Sequence, residues 1–228
     1  SQAMLESAQA VLDSAGAHQA EPSGRVRLAM PKAFGRRVIH PLMPAFLARY
    51  PKVDVQLLLD DHARDPISDE VDLVVLATDR PPPGLVARPL MPVAQWLCAS
   101  PEYLARCGEP AQPQALQDHD CLFLGETPDD CVWEFARDGQ RQRVRVSGRY
   151  IVNHSDIRRD AVLRGLGIAS LPQFVAADDV RAGRLRRVLA DWECIPHAYW
   201  GHAYLLYPAH RQLPRKVRVM IDYLLETV

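Results

Sequence analysis

Residues 71–76 are Val71-Asp72-Leu73-Val74-Val75-Leu76, an almost unbroken apolar run typical of a strand buried inside a parallel sheet. Upstream, apolar residues recur at every second position over residues 26–30 and again over 53–59, which predicts two more strands. A helical segment is expected between them, over about residues 35–50. This β-α-β order predicts an α/β fold with a parallel sheet, right-handed crossovers and helices on its faces.

Pro41 and Pro44 lie inside the segment that is expected to be helical. Each proline removes a backbone donor and its ring clashes with the preceding turn. We therefore expect a kinked or late-starting helix here.

A second α/β unit is predicted after the stiff turn at residues 81–84, Pro-Pro-Pro-Gly. Its hairpin is expected to turn at Asp138-Gly139, a dipeptide suited to positive φ angles. Ser155 is expected to cap a helix that runs to about Arg164 and ends at Gly165. The other predicted elements are extended segments over 85–99, a helix near 101–106, strands at 168–171 and 204–207, and helices that begin at Pro172 and Pro214.

Composition limits the function classes. The chain has 228 residues with 48% apolar content and a formal net charge of -1, so a packed core is expected and no overall charge favours phosphate backbones or anionic membranes. No apolar stretch approaches the roughly 20 residues that a membrane span needs, and no secretion signal is recognisable. Five cysteines without a C-x-x-C pair favour reduced thiols, so a cytoplasmic location is expected.

Motifs for catalysis, metal ions and cofactors are weak. Gly165-Leu166-Gly167 follows a predicted helix and precedes a strand, which is the reverse of a dinucleotide fingerprint. His154-Ser155-Asp156 has the residue types of a triad, but adjacent residues cannot align as one, and Asp156 is interpreted as complementing the helix dipole. The eight histidines lack metal-ligand spacing. No enzyme activity, metal or cofactor is therefore predicted.

Two loops are the candidate ligand contacts. Open α/β sheets bind ligands beyond the carboxyl ends of their strands, where helix N-termini and backbone donors converge. The first loop is Lys32-Ala33-Phe34-Gly35, after the first strand, and the second is Asn153-His154-Ser155, ahead of a helix. Ordinary capping and turn chemistry explains any single residue in these loops equally well.

The chain resembles the effector-binding domains of LysR-type transcriptional regulators, nearest the CrgA-like branch. The resemblance covers nearly everything from Ser23 onward and depends on the order of several segments rather than on one motif. These segments include Ser23-Gly24-Arg25-Val26-Arg27-Leu28, Phe34-Gly35-Arg36-Arg37, Pro41-Leu42-Met43-Pro44-Ala45-Phe46, Val71-Asp72-Leu73-Val74, Cys98-Ala99-Ser100-Pro101-Glu102-Tyr103-Leu104 and Gly165-Leu166-Gly167-Ile168-Ala169-Ser170-Leu171-Pro172.

The resemblance implies a two-lobed fold like that of type 2 periplasmic binding proteins, with the second lobe inserted into the first. Lobe I would comprise residues 23–95 and 203–228, and lobe II residues 96–202. A small-molecule effector would lie in the cleft between them. The implied contacts are Lys32, Ala33, Phe34, Asp60, Thr78, Asn153, His154 and Ser155.

The resemblance also implies partners beyond the effector. Residues 1–22 would be the end of a linker or dimerisation helix with a hinge, since the apolar residues of 4–15 share one helical face. Such regulators act as homodimers or tetramers and bind DNA through an N-terminal domain, which this chain does not contain. His154-Ser155-Asp156 stands where many relatives show Asn-Gly-Glu, so no particular ligand carries over.

We expect Lys32 to be the charge partner of an organic anion, aided by helix N-termini at the cleft. Two alternatives remain open. A free-standing solute-binding protein would share the fold and the cleft, although it would need a secretion signal. An α/β enzyme would need a converged set of acid, base or nucleophile, and the sequence supplies none.

Overall fold

The computed structural model describes residues 21–61, 71–195, 201–209 and 213–228. The helix predicted over residues 4–15 lies outside this described part. The described strands are β1 Gly24–Met30, β2 Val53–Leu59, β3 Leu73–Thr78, β4 Leu85–Val93, β5 Gln95–Ala99, β6 Cys121–Leu122, β7 Val132–Arg137, β8 Gln140–Arg145, β9 Ile168–Pro172, β10 Arg186–Arg187, β11 Glu193–Ile195 and β12 Gly201–Pro208. Five of them form a first sheet in the order β2-β1-β3-β12-β4. The other seven form a second sheet in the order β6-β9-β5-β11-β7-β8, with β10 paired to β5.

The first sheet is mixed, which corrects the expectation of a parallel sheet. β1 pairs parallel with β2 and β3, as the β-α-β pattern predicts, whereas β12 pairs antiparallel with both β3 and β4. The physical reason is the path of the chain, because β12 re-enters the first sheet after the second has been completed. The fully buried side chains of Leu28, Leu73 and Leu205 come from β1, β3 and β12 and form one core under this sheet.

The second sheet is largely antiparallel. β6 runs parallel to β9, and the other strand pairs of the described part of this sheet run antiparallel. The hairpin between β7 and β8 turns at Asp138 and Gly139, whose φ angles are 50° and 77°. Two successive positive φ angles are what the Asp-Gly dipeptide predicts.

A helical segment of changing pitch follows β1. It comprises α1 Lys32–Phe34, a π-helical stretch Gly35–Ile39, a 3-10 turn His40–Leu42 and α2 Met43–Arg49. Pro41 lies in the 3-10 turn and Pro44 in the first turn of α2, where a missing backbone donor costs least. The prolines thus explain why regular α-helix is confined to the two ends of the segment.

In the described part of the chain, four further α-helices cover the sheets: α3 Pro101–Cys107, α4 Ser155–Leu163, α5 Gln173–Arg181 and α6 Arg215–Thr227. The predicted N-cap of α4 is wrong by one residue. His154 occupies the cap position without a side-chain cap bond, and Ser155 is the first helical residue. The Ser155 hydroxyl instead accepts a hydrogen bond from Arg158 Nη2 at 3.2 Å, so it is used within the helix.

Candidate functional site

The two sheets meet where α1 and the π-helical stretch face the N-terminus of α4. The chain crosses from the first sheet to the second at Ala94, between β4 and β5, and returns before β12. We call the space between the two halves the cleft. The boundaries predicted for the lobes, near residues 95 and 203, stay a prediction.

An ion pair joins the two sides of the cleft. Asp156, in the first turn of α4, is only 3% exposed. Its Oδ1 accepts hydrogen bonds from Arg37 Nε at 2.9 Å and Nη2 at 2.6 Å, and its Oδ2 accepts one from Arg36 Nη1 at 3.3 Å. A carboxylate so deeply buried would be costly without such partners. The sequence placed Asp156 correctly but missed its arginines, although Arg36-Arg37 adjoins a predicted ligand loop.

An aromatic contact joins the same two sides. The ring of Phe34 is fully buried and meets the ring of Phe174 in α5 edge to face, with centroids 5.6 Å apart and planes at 87°. This geometry is favourable for aromatic pairs. Ala33 is buried as well. Phe34 therefore belongs to the packed contact between the halves, and Ala33 lies buried next to it in the chain.

A pocket of about 440 Å³ opens beside these contacts. Lys32 and His154, both predicted site residues, line it from opposite sides of the cleft. The full set of lining residues is Lys32, Gly35, Arg36, His40, Leu57, Leu59 and His154. No carboxylate of the described residues is among them, and two are fixed cations. The pocket thus offers positive charge beside an apolar wall.

Lys32 already has an anionic partner in the protein. Its Nζ lies 3.3 Å from Asp61 Oδ2, and its backbone N–H donates to Asp61 Oδ1 at 3.0 Å. Asp61 follows β2 and was not among the predicted site residues, although its neighbour Asp60 was. The charge of Lys32 is thus partly balanced before any ligand arrives.

The remaining predicted residues have local partners. Asp60 donates its backbone N–H to Met30 O at 3.0 Å, beyond the paired ends of β1 and β2. Thr78 ends β3, and its hydroxyl bonds the backbone of Arg80. Asn153 donates from Nδ2 to Glu126 Oε1 at 3.1 Å. The residues Asp60, Thr78, Asn153 and Ser155 do not line the pocket.

Arg158 is a buried residue of α4 that sequence reasoning missed. It lies one turn after His154 on α4 and is 5% exposed. Burial lowers its pKa to about 10, while the carboxylates of Asp130, Glu126 and Asp61 act in the opposite direction. Its Nε donates to no acceptor. An arginine within a predicted helix gives no sequence signal of burial, because this residue type is usually solvated.

Within the described residues, no group of three or more histidine, cysteine, aspartate or glutamate side chains is placed to hold a metal ion. No helix of that part is long and apolar enough to cross a membrane.

The chain forms two sheets, passes between them twice and holds a pocket between its two halves. These features define the class of two-lobed ligand-binding folds. The family model for the LysR substrate binding domain matches residues 19–228. The chain therefore belongs to the LysR substrate-binding domain family, the effector-binding part of LysR-type transcriptional regulators. Its likeness to type 2 periplasmic binding proteins, expected from the sequence, is confirmed with it.

Relatives and solved structures agree with this assignment. The chain is 48% identical over 227 residues to a probable HTH-type transcriptional regulator, LtrA of Klebsiella pneumoniae, covering all of this chain and 73% of LtrA. Full-length AphB of Vibrio cholerae, a virulence activator, superposes with a TM-score of 0.83 at 27% identity over 99% of this chain and 75% of AphB. The CrgA regulatory domain of Neisseria meningitidis gives 0.78 at 27% identity, covering 90% of this chain and 98% of that domain.

Proposed function

We propose that this domain senses a small organic anion that binds in the pocket between the two halves. The observation that carries the proposal is the pocket lining, since Lys32 and Arg36 contribute fixed positive charge from one side and His154 faces them from the other. Leu57 and Leu59 add an apolar wall for the rest of the molecule. Small-molecule sites commonly combine a few polar groups with such apolar surface.

A ligand at this position changes the relation between the halves. The ion pair at Asp156 and the ring contact at Phe34 cross the cleft next to the pocket, so a bound anion would bias how closely the halves approach. It does so only to the extent that it binds one arrangement more tightly than the other. The function is regulatory binding, and we propose no bond chemistry.

The whole regulator has further proposed properties. LtrA and its relatives are named as helix-turn-helix regulators, so DNA binding is assigned to a region outside this chain. We propose that the protein works in the cytoplasm as a homodimer or tetramer. The effector, through cleft closure, then alters how the DNA-binding regions are presented.

The test is a thermal-shift titration of this chain against a broad library of organic acids, followed by small-angle X-ray scattering with each acid that binds. We expect at least one acid to raise the melting temperature saturably and to reduce the radius of gyration. Lys32→Ala should weaken that response. Lys52→Ala, a matched control whose exposed side chain immediately precedes β2, should leave it unchanged.

Two results would contradict the proposal. If no acid of the library stabilises the protein, the sensing role fails. If the response of Lys32→Ala equals that of the wild type, the role of Lys32 is removed while the pocket remains.

A further inference from the structure

The side chains that line the pocket offer few acceptors for a ligand hydroxyl group. The polar ones among the described lining residues are Lys32, Arg36, His40 and His154, and the others are glycine and leucine. Lysine and arginine side chains donate hydrogen bonds and accept none, so in this set a hydroxyl group finds an acceptor only at an imidazole nitrogen. The lining therefore disfavours a ligand with several hydroxyl groups, because each one without a partner would lose its hydrogen bonds to water.

Backbone donors at the start of the helical segment are already used by the protein. The N–H group of Lys32 donates to Asp61 Oδ1 at 3.0 Å, and that of Gly35 donates to Pro31 O at 2.9 Å. An anion in the pocket must therefore be bound by side chains at these two residues.

The fixed charges at the pocket leave a single positive charge unbalanced. Lys32 Nζ lies 3.3 Å from Asp61 Oδ2, so the charges of this pair cancel. The guanidinium groups of Arg36 and Arg37 share one carboxylate, that of Asp156. One guanidinium charge thus has no carboxylate of its own among the described ion pairs, which suits a ligand with one negative charge.

Arg36 is the arginine that brings this charge to the pocket. It makes one hydrogen bond to Asp156, at 3.3 Å, and its side chain is 66% exposed. Arg37 makes two bonds to Asp156, at 2.9 and 2.6 Å, and does not line the pocket. If an anion draws Arg36 away, Asp156 keeps Arg37, so the exchange leaves no buried carboxylate without a partner.

Leu59 presents exposed apolar surface in the same pocket. Its side chain is 43% exposed, and Leu57 lines the pocket with it. A Cβ atom at Gly35 would lie 2.4 Å from Leu59 Cδ2, so the glycine allows the leucine to lie against the π-helical stretch. An apolar ligand body that covers Leu59 would gain from removing this surface from water.

We propose that the effector is a monocarboxylate with an apolar body that lacks hydroxyl groups, its carboxylate bound by Arg36 and its body in contact with Leu57 and Leu59. This inference rests on the proposed function and names the class of effector for the same pocket. Lys32 contributes indirectly, because its loss would leave the charge of Asp61 unbalanced beside the ligand. Alkanoates and aromatic carboxylates share this chemistry and are separated by the experiment.

The first test compares two matched probe series by isothermal titration calorimetry. Hexanoate, gluconate and adipate have equal numbers of carbon atoms, and benzoate, 3,4,5-trihydroxybenzoate and isophthalate share one ring. In the series that fits, we expect the plain acid to bind at least about tenfold more tightly than its hydroxylated partner, which brings hydroxyl groups without acceptors. The dicarboxylate should also bind more weakly, because its second charge has no fixed partner.

The second test assigns the carboxylate to Arg36. Arg36→Gln should bind the preferred plain acid at least about tenfold more weakly, because a charged hydrogen-bond donor is lost. Arg49→Gln is the matched control, since Arg49 is 57% exposed, has a single ion pair at 3.6 Å with Glu226 and does not line the pocket. Its affinity should equal that of the wild type.

The third test assigns the apolar body to Leu59. Leu59→Asn should weaken binding of the plain acid by at least about threefold and reduce its advantage over the hydroxylated acid. Leu47→Asn is the matched control, because Leu47 is 42% exposed and lies outside the pocket. Circular dichroism checks that each variant is folded.

Four results would overturn the proposal. They are equal or tighter binding of the hydroxylated acid or the dicarboxylate, unchanged affinity in Arg36→Gln, equal affinities in Leu59→Asn and Leu47→Asn, and failure of both series to bind. If both series fail but another acid of the library still raises the melting temperature, the proposed function stands and only the class of effector is wrong.

Discussion

Arg158 and Arg159 are adjacent on α4 and have opposite surroundings. Arg159 donates from Nε to Asp179, a carboxylate with 0% exposure, and from Nη1 to Asp160 at 2.9 Å. Arg158 is 5% exposed, and its Nε makes no hydrogen bond. Burial acts to lower both pKa values, but the hydrogen bond to Asp179 raises the pKa of Arg159, whereas that of Arg158 falls to about 10.

This difference sets a satisfied ion pair beside an unsatisfied buried donor within one helical turn. Asp179 also accepts from Arg184 Nε at 2.7 Å, so a fully buried carboxylate is shared by two guanidinium groups inside the second half of the molecule. Satisfied buried charges of this kind hold elements in register, whereas an unsatisfied charge is stable only if the rest of the fold compensates for it. Arg159 accordingly anchors α4 to α5, whereas Arg158 keeps a buried donor without an acceptor.

The largest loss of stability is expected when the ion pair between Arg159 and Asp179 is broken. Asp179→Asn leaves Arg159 and Arg184 without their carboxylate, and loss of one partner of a buried ion pair costs roughly 3–5 kcal/mol. Because both arginines keep some exposure, we expect about 3 kcal/mol, measured as the free energy of unfolding in urea. Urea is preferred to guanidinium salts, which would screen the charges.

Asp178 provides the matched control for this variant. It neighbours Asp179 but is exposed, and it pairs with Arg181 three residues away on the surface of α5. Asp178→Asn should cost less than about 0.5 kcal/mol, as exposed helical pairs contribute little. Equal losses in the two variants would contradict the distinction between a buried and a surface pair.

A smaller loss of stability is expected when the ion pair of Asp156 across the cleft is broken. Like Asp179, Asp156 has hydrogen-bond partners for its carboxylate, but it lies two residues before Arg158 on α4. Arg37 is the more buried of the two partners of Asp156 and makes two of the three hydrogen bonds. Arg37→Ala should lower the free energy of unfolding by about 2 kcal/mol, because a buried carboxylate loses its main partner. The measurement is again urea unfolding, followed by circular dichroism.

Arg36→Ala serves as the control, since its side chain is 66% exposed and its single bond to Asp156 is 3.3 Å long. It should cost less than about 1 kcal/mol. A loss in Arg36→Ala as large as that in Arg37→Ala would show that burial does not set the strength of this contact.

The sequence predicted the order of elements better than the direction of the strands. Local patterns predicted β1 from the alternation at residues 26–30, β3 from the apolar run at 71–76, and a turn at Asp138-Gly139. These elements could be predicted because each depends only on residues that are near one another in the chain. The antiparallel position of β12 depends on where the chain goes after leaving the second sheet. No local pattern in residues 201–208 carries that information.

Sequence reasoning pointed to two residues that line the pocket, but not to the ion pairs beside it. Strand ends and helix starts led to Lys32 and His154, and the structure brings both to one pocket. Arg37 was missed as the partner of Asp156, because an ion pair between residues 119 positions apart leaves no spacing in the sequence. The same holds for the contact of Lys32 with Asp61, 29 positions away. Solvated and buried arginines also look alike in sequence, so Arg158 and Arg159 could not be told apart.

The smallest expected effect is the loss, at low pH, of the stability that the charge of Asp179 contributes. Burial would raise the pKa of Asp179, but the hydrogen bonds from Arg159 and Arg184 outweigh it and hold the pKa below its ordinary value of 3.8. A depressed carboxyl pKa contributes stability that is complete above the unfolded value and is lost as the pH falls through the folded value. The gap in unfolding free energy between wild type and Asp179→Asn should therefore be constant from about pH 7 to pH 5 and narrow below about pH 4. Urea titrations at each pH measure it, with Asp178→Asn as the control whose gap stays near zero. A gap that narrows already between pH 7 and pH 5 would mean that the stabilising charge belongs to a group other than Asp179.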